Sequence, residues 1–213
     1  MEVTDALDDG LDALMDGNLD VPLDFTWAPK AQPVPSITAH RHTPTRRRAE
    51  DHRARGALAG QLDPLPAEGE TVHLVLPGGI ALGDVLWSVV DGTRLPRPLT
   101  VSTLGFGRRW IAGLIDRLRD GRITSGVVVC SNYFRKSDPT EFADAAAALA
   151  PWPCRLVDAR THAKIAVFGP YSLEGSANLR SCRSIENVAV THDENLARFH
   201  AKWIHQLADK PTT

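Results

Sequence analysis

From residue 71 onward, short apolar runs alternate with amphipathic stretches along the chain. Apolar or β-branched runs of about four to eight residues predict strands, and apolar residues recurring every three to four positions predict helices. The predicted strands are 72–77, 99–104, 125–131, 154–158 and the run that begins at residue 161. The predicted helices are 81–90, 108–119 and 139–150. This alternation predicts an α/β fold, a mixed, mainly parallel central sheet with helices on both faces.

Two of the later apolar runs carry side chains that suit phosphate chemistry. His162 and Lys164 lie two residues apart in a run that is expected to be a strand, so their side chains are expected on one face. Gly169-Pro170 ends this run, and Ser176 and Asn178 follow at the end of a second run with the same spacing. Lysine, hydroxyl and amide groups donate hydrogen bonds to phosphate oxygens, and a neutral imidazole can be a nucleophile or a proton shuttle.

His-x-Lys followed by Gly-Ser-x-Asn resembles the signature of the phospholipase D superfamily. The continuation is also similar, because Ser184 to Val190 carries the Glu-Asn pair of the family's next strand and Thr191 to Ile204 resembles its closing helix. The resemblance is sharp over about residues 155–207 and extends back to about residue 71. One position departs from the pattern, since the family usually has Asp where this chain has Gly169.

The resemblance implies a metal-independent phosphodiesterase that uses no cofactor. His162 would attack phosphorus and form a phosphohistidine, which water then hydrolyses. Lys164, Ser176 and Asn178 would hold the non-bridging oxygens, and Glu186 would accept the other ring proton of His162. A second imidazole must protonate the leaving oxygen, and family members with a single motif pair two copies. We therefore expect a homodimer in which two copies of His162 share one site.

The residues before this region differ from it in composition. Residues 1–24 carry acids and no Lys or Arg, and they are expected to form an acidic N-terminal segment that is either partly ordered or a docking helix for a protein partner. Residues 25–70 are rich in Pro and Arg and predict a linker, with six arginines in 40–55. Such a run suits a nucleic-acid backbone, although a solvated helix would show the same pattern. The phospholipase D-like domain is expected at 71–210.

The 213 residues, of which 43% are hydrophobic, are enough for one domain with appendages. A net charge of -2 does not by itself identify a partner. The three cysteines, Cys130, Cys154 and Cys182, are odd in number and scattered, which favours buried thiols in a reducing compartment. The acidic first residues are not expected to act as a signal peptide, and no apolar run of the sequence reaches membrane-spanning length. We expect a cytoplasmic protein that does not bind membranes.

Several other residues have a predicted structural role. Four histidines outside the motif are expected to be structural or solvated: His73, His192, His200 and His205. The closing helix is expected to bury an apolar stripe formed by Leu196, Phe199, Trp203 and Leu207. The loops after the second and third strands, 105–108 and 131–136, are expected to border the site, because sites in parallel sheets gather at the carboxyl ends of strands.

Three functions are compatible with these features. The sequence favours a nuclease acting on nucleic acid, with DNA the expected substrate, because arginines occur in the linker and in the predicted helix 108–119. An enzyme of the same chemistry that hydrolyses phospholipid headgroups is one alternative. The other is a catalytically weakened copy that binds nucleic acid or serves in an assembly, and Gly169 in place of Asp supports it.

Overall fold

The computed structural model describes residues 56–180 and 183–210, which form one open seven-stranded sheet with helices around it. The strands are β1 (Thr71–Leu76), β2 (Arg97–Thr103), β3 (Ile123–Ser131), β4 (Cys154–Ala159), β5 (Ile165–Phe168), β6 (Tyr171–Gly175) and β7 (Glu186–His192). The helices are α1 (Leu82–Gly92), α2 (Arg108–Arg119), α3 (Asn132–Ser137), α4 (Pro139–Leu149) and α5 (Glu194–Ala208). The predicted acidic segment 1–24 and the arginine-rich part of the predicted linker lie outside the described residues.

The strands lie in the order β1-β7-β6-β5-β2-β3-β4. Pairing is parallel for β2 with β3 and for β3 with β4, and the other neighbours are antiparallel. As a result β5 and β7 run opposite to the other five strands. The prediction of a mixed, mainly parallel α/β sheet is therefore confirmed for strand direction.

Strand β3 shows how the sheet is covered on both faces. Val128 and Cys130 belong to the larger core, which the sheet forms with α1, α2 and α4. Val127 and Val129 point to the other face and join a smaller core with α5. The continuous apolar run of this strand thus reflects burial on both sides. The larger core also includes Leu58 and Leu62, which belong to the end of the predicted linker.

The buried face of α5 differs from the predicted one. The helix buries Ala197, His200, Ile204 and Ala208. The predicted stripe lies to one side of this face, and its Phe199 is 62% exposed. Alanines at two of the buried positions allow the helix to approach the sheet closely. The Nδ1 of His200 accepts a hydrogen bond of 3.0 Å from the Trp203 indole, and its Nε2 lies 3.8 Å from Glu174 Oε2.

One edge of the sheet collects the carboxyl ends of β2, β3, β4 and β6 and the amino ends of β5 and β7. The registers that set this edge include Ser131 opposite Ala159, and Gly175 opposite Val188. We call it the upper edge, and it comprises residues 104–108, 132–137, 160–164, 176–180 and 183–185. The predicted loop 131–136 lies on it, mostly as the short helix α3. No helix of the described residues is both long and apolar enough to cross a bilayer.

Candidate active site at the upper edge

His162 and Lys164 directly precede β5 and are not part of it. The chain must pass from the end of β4 across the ends of β3 and β2 before it reaches β5. Residues 160–163 make this crossing, and pairing with β6 begins at Lys164, whose carbonyl accepts a hydrogen bond of 3.4 Å from the Gly175 amide. Two hydrogen bonds fix this crossing. Thr161 Oγ1 lies 3.0 Å from Ser102 Oγ, and the Ala163 amide donates to Thr161 Oγ1 at 3.2 Å. The prediction of a strand at these two site residues is therefore wrong by a few positions.

The His162 and Lys164 side chains contact each other. Lys164 Nζ lies 3.3 Å from His162 Nδ1 and donates to the His162 carbonyl oxygen at 3.1 Å. An ammonium group has donors only, so Nδ1 is the acceptor and the ring proton lies on Nε2. Burial lowers the pKa of the Lys164 ammonium, and the nearby Glu186 carboxylate opposes that shift.

Ser176 and Glu186 form a second contacting pair. The Ser176 hydroxyl donates to a Glu186 carboxylate oxygen. The neighbouring Asn187 holds the serine in place, because the Ser176 amide donates to both Asn187 Oδ1 and its carbonyl, at 3.2 and 3.0 Å. In return the Asn187 amide donates to Ser176 Oγ at 3.1 Å. Asn187 was not among the predicted site residues, and the Glu-Asn pair in the sequence was the signal for it.

Gly175 explains why the motif needs a glycine before the serine. A Cβ atom at this position would lie 2.0 Å from the Asn187 carbonyl oxygen, so only glycine allows β6 and β7 to approach this closely. The close approach produces the hydrogen bonds between Ser176 and Asn187.

Asn178 is held from its backbone. Its carbonyl oxygen accepts a hydrogen bond of 2.9 Å from the Leu82 amide at the start of α1. Its side-chain Oδ1 is buried and has no hydrogen-bond partner among the described residues. Buried polar atoms are usually paired, so this oxygen without a partner indicates that the side-chain amide of Asn178 can bind a ligand.

The contacts therefore join His162 to Lys164 and Ser176 to Glu186, and the effect of Glu186 on the pKa of Lys164 links the two pairs. Asn178 lies on the same edge, and its described contact is with α1. A hydrogen bond that the Glu186 carboxylate accepts in the structure is donated by the Ser176 hydroxyl. A bond from His162 to this carboxylate stays a prediction.

Gly169 lies at the opposite end of β5, in the turn that connects it to β6. Five residue steps separate it from Lys164, which is roughly 16 Å along an extended chain. Its φ of 59° is in the left-handed region that glycine adopts without strain. The missing motif Asp therefore removes no side chain from the upper edge.

The upper edge carries six exposed basic side chains: Arg108, Arg135, Lys136, Arg160, Arg180 and Arg183. Within residues 56–180 and 183–210, two of them have an acidic partner, since Arg108 pairs with Asp144 at 3.2 Å and Arg135 pairs with Asp158 at 2.5 Å. Unpaired cations around a site produce a positive potential that attracts polyanions.

Solved structures that include a phospholipase D family member share this fold, so the resemblance seen in the sequence is confirmed at the level of the fold. Two of these structures are similar to most of the described domain. NucT from Helicobacter pylori is 16% identical, with a TM-score of 0.50 over 65% of this chain and 94% of that chain. Nuc from Salmonella typhimurium, a phospholipase D family member, is 13% identical, with a TM-score of 0.51 and the same coverage.

A third solved structure also shares the architecture. Polyphosphate kinase from Porphyromonas gingivalis is 12% identical, with a TM-score of 0.55 over 72% of this chain and 29% of that much longer chain. The sequence matches no protein-family model and no curated protein. At these identities the comparisons establish the fold, and the function has to be argued from the site.

Proposed function

We propose that this chain is a metal-independent phosphodiesterase, and specifically a nuclease. One observation carries the proposal. The upper edge presents an imidazole, an ammonium, a hydroxyl and a carboxylate in two contacting pairs, with exposed cations around them. This set offers a nucleophile, donors for phosphate oxygens and a proton acceptor without a metal ion.

In the proposed first step, Nε2 of His162 attacks phosphorus. A P–N bond forms as the P–O bond to the leaving group breaks. Lys164 leaves Nδ1 and binds a phosphate oxygen, so Nδ1 can take the ring proton and free the Nε2 lone pair. Glu186 is proposed to accept the hydrogen bond from that proton, while Ser176 and Asn178 bind the remaining oxygens. In the second step, water attacks phosphorus and the P–N bond breaks.

The proton balance requires a second imidazole. In the first step the second imidazole donates a proton to the leaving oxygen. In the second step the same imidazole removes a proton from the attacking water. Each chain offers one imidazole within the motif. We therefore propose a homodimer in which His162 of the second copy serves as this acid and base.

Nucleic acid is the substrate that the charges of the upper edge favour. Its backbone repeats a negative charge at each nucleotide, so several separated cations can be engaged at once. A phospholipid headgroup offers a single phosphodiester. The position of Gly169 at the far end of β5 weakens the argument for a catalytically weakened copy, because the substitution does not affect the residues at the upper edge.

The test is hydrolysis in excess chelator. The full chain is incubated with bis(p-nitrophenyl) phosphate, with single- and double-stranded DNA, with RNA and with phosphatidylcholine vesicles. We expect nucleic-acid cleavage that His162→Ala abolishes and His73→Ala, at an exposed histidine on β1, leaves unchanged. Headgroup release alone would support the lipid alternative. Nucleic-acid binding without turnover would support the weakened copy.

The shared site is tested by mixing. When wild-type and His162→Ala chains are exchanged in equal amounts, about one quarter of random dimers contain two intact imidazoles. Half of the wild-type chains then lie in mixed dimers, which should be inactive. The mixture should therefore have about half of the activity that the same amount of wild-type chain shows alone. Activity that stays proportional to the wild-type chains, or sedimentation as a monomer, would overturn the dimeric mechanism.

A further inference from the structure

Tyr133 is an exposed aromatic side chain on the upper edge. It follows β3 directly, on α3, and is 66% exposed. The other strongly exposed aromatic residue of the described part is Phe199, which lies on α5. Tyr133 therefore offers an open ring face beside the candidate site, and its phenol group combines an apolar body with a polar tip.

The backbone that carries this ring is firmly held. The Tyr133 amide donates to Ser131 Oγ at 3.1 Å, which caps α3. The next residue, Phe134, is buried with its ring centroid 4.7 Å from that of Phe106. A stacking partner therefore meets a ring whose attachment point is already ordered, which reduces the entropy lost on binding.

Two unpaired cations accompany the ring. Ser131 is paired with Ala159 across β3 and β4, so the segments that carry Tyr133 and Arg160 leave the sheet from neighbouring strand ends. Lys136 follows on α3. Both cations are exposed, and neither has an acidic partner within the described part of the chain.

The distance to the proposed nucleophile suits a neighbouring nucleotide. β3 is two strands away from β5, which corresponds to about 10 Å in the plane of the sheet. Residues 160–164 cross this interval and connect Arg160 directly to His162. A strand of nucleic acid that is cleaved at His162 would thus bring the nucleotide adjacent to the scissile phosphate within reach of Tyr133.

We propose that Tyr133, Arg160 and Lys136 form a subsite for an unpaired nucleotide adjacent to the scissile phosphate. The base stacks on the phenol ring, and the two cations bind its backbone phosphates. Bases within a duplex are already stacked on one another, so this subsite makes the chain prefer single-stranded nucleic acid. The inference rests on the proposed nuclease function and specifies its substrate.

The test measures binding and turnover separately. Affinity for a fluorescent oligo(dT) and for a duplex of equal length is measured with the full chain in chelator, alongside hydrolysis of bis(p-nitrophenyl) phosphate. Loss of a base–aromatic stack should weaken oligo(dT) binding by about 5- to 150-fold in Tyr133→Ala. Tyr133→Phe keeps the ring and should bind as wild type does. Phe199→Ala, the matched exposed aromatic on α5, should also have no effect.

The outcomes separate this subsite from the nuclease proposal. Oligo(dT) binding unchanged in Tyr133→Ala, or duplex binding weakened by the same factor, would overturn the subsite even if wild type is an active nuclease. Selective loss of oligo(dT) binding in a chain that hydrolyses no phosphodiester would support the subsite and refute the proposed activity. Bis(p-nitrophenyl) phosphate carries no flanking nucleotide, so its hydrolysis in Tyr133→Ala should equal that of wild type and shows that the catalytic residues are intact.

Discussion

Gly175→Ala tests the architecture of the candidate site without touching any of its proposed catalytic groups. The added methyl group would lie 2.0 Å from the Asn187 carbonyl oxygen and 2.9 Å from Val188 Cα. Real Cβ atoms do not approach other atoms below 3.0 Å. The ends of β6 and β7 must therefore separate by about 1 Å or the chain must bend there, because the clash is with backbone and no side chain can move aside.

The loss of stability expected for Gly175→Ala follows from the hydrogen bonds between β6 and β7 that it would break. The Ser176 amide and the Asn187 carbonyl are 3.0 Å apart, and the Asn187 amide and Ser176 Oγ are 3.1 Å apart. A separation of about 1 Å carries both beyond hydrogen-bonding range. Each bond contributes about 1 kcal/mol net, and backbone strain adds a similar amount. We expect a loss of roughly 2–3 kcal/mol in the free energy of unfolding, or roughly 5–10 °C in Tm.

Urea and thermal unfolding measure this loss, and hydrolysis of bis(p-nitrophenyl) phosphate measures its effect on the site. Gly60→Ala is the matched control, because a Cβ there meets nothing within 4 Å and alanine suits the helical segment 56–61. Turnover should fall in Gly175→Ala because Ser176 and Glu186 no longer meet. An unfolding free energy within about 0.5 kcal/mol of wild type would refute the reasoning.

Two further predictions concern charge and the altered motif position. Burial lowers the pKa of Lys164, and the charged ammonium is the form that binds phosphate. As the pH rises, turnover should therefore be lost at a pH below 10.5, the usual pKa of lysine. Glu186→Gln should move this loss to still lower pH, and an unmoved pH–rate profile would contradict the coupling. Gly169→Asp should cost about 1 kcal/mol at its positive φ and give no gain in turnover. A large gain would instead support the weakened-enzyme alternative.

The sequence predicted the sheet and most of its elements because local pattern and tertiary burial agree there. The apolar run of β3 is buried on both faces, as its continuity indicates. Pro139 begins α4, where its fixed φ and missing amide cost nothing. The two spaced pairs of the motif lie just before β5 and just after β6, so the antiparallel pairing of these strands brings both pairs to the upper edge.

The sequence did not predict features that depend on what a segment has to span or contact. The stretch from residue 161 reads as a strand, but most of it bridges β4 to β5, and pairing with β6 begins only at the Lys164 carbonyl. The face of α5 was misassigned because Phe199 is more hydrophobic than His200, while the Trp203 bond makes the histidine the buried residue. The role of Asn187 required knowing that β6 and β7 meet at Gly175.

Chemistry and substrate recognition depend on different elements of the upper edge. The serine–glutamate pair is set by the backbone approach of β6 and β7, so a change of one methyl group at Gly175 should disturb it. Tyr133 is carried by α3, which is fixed by Phe134 and makes no part of that approach. Variants at Gly175 and Tyr133 should therefore act independently, as sites without shared partners do. A double variant whose loss of oligonucleotide cleavage exceeds the product of the single losses would show that substrate binding and the catalytic geometry are coupled through the sheet.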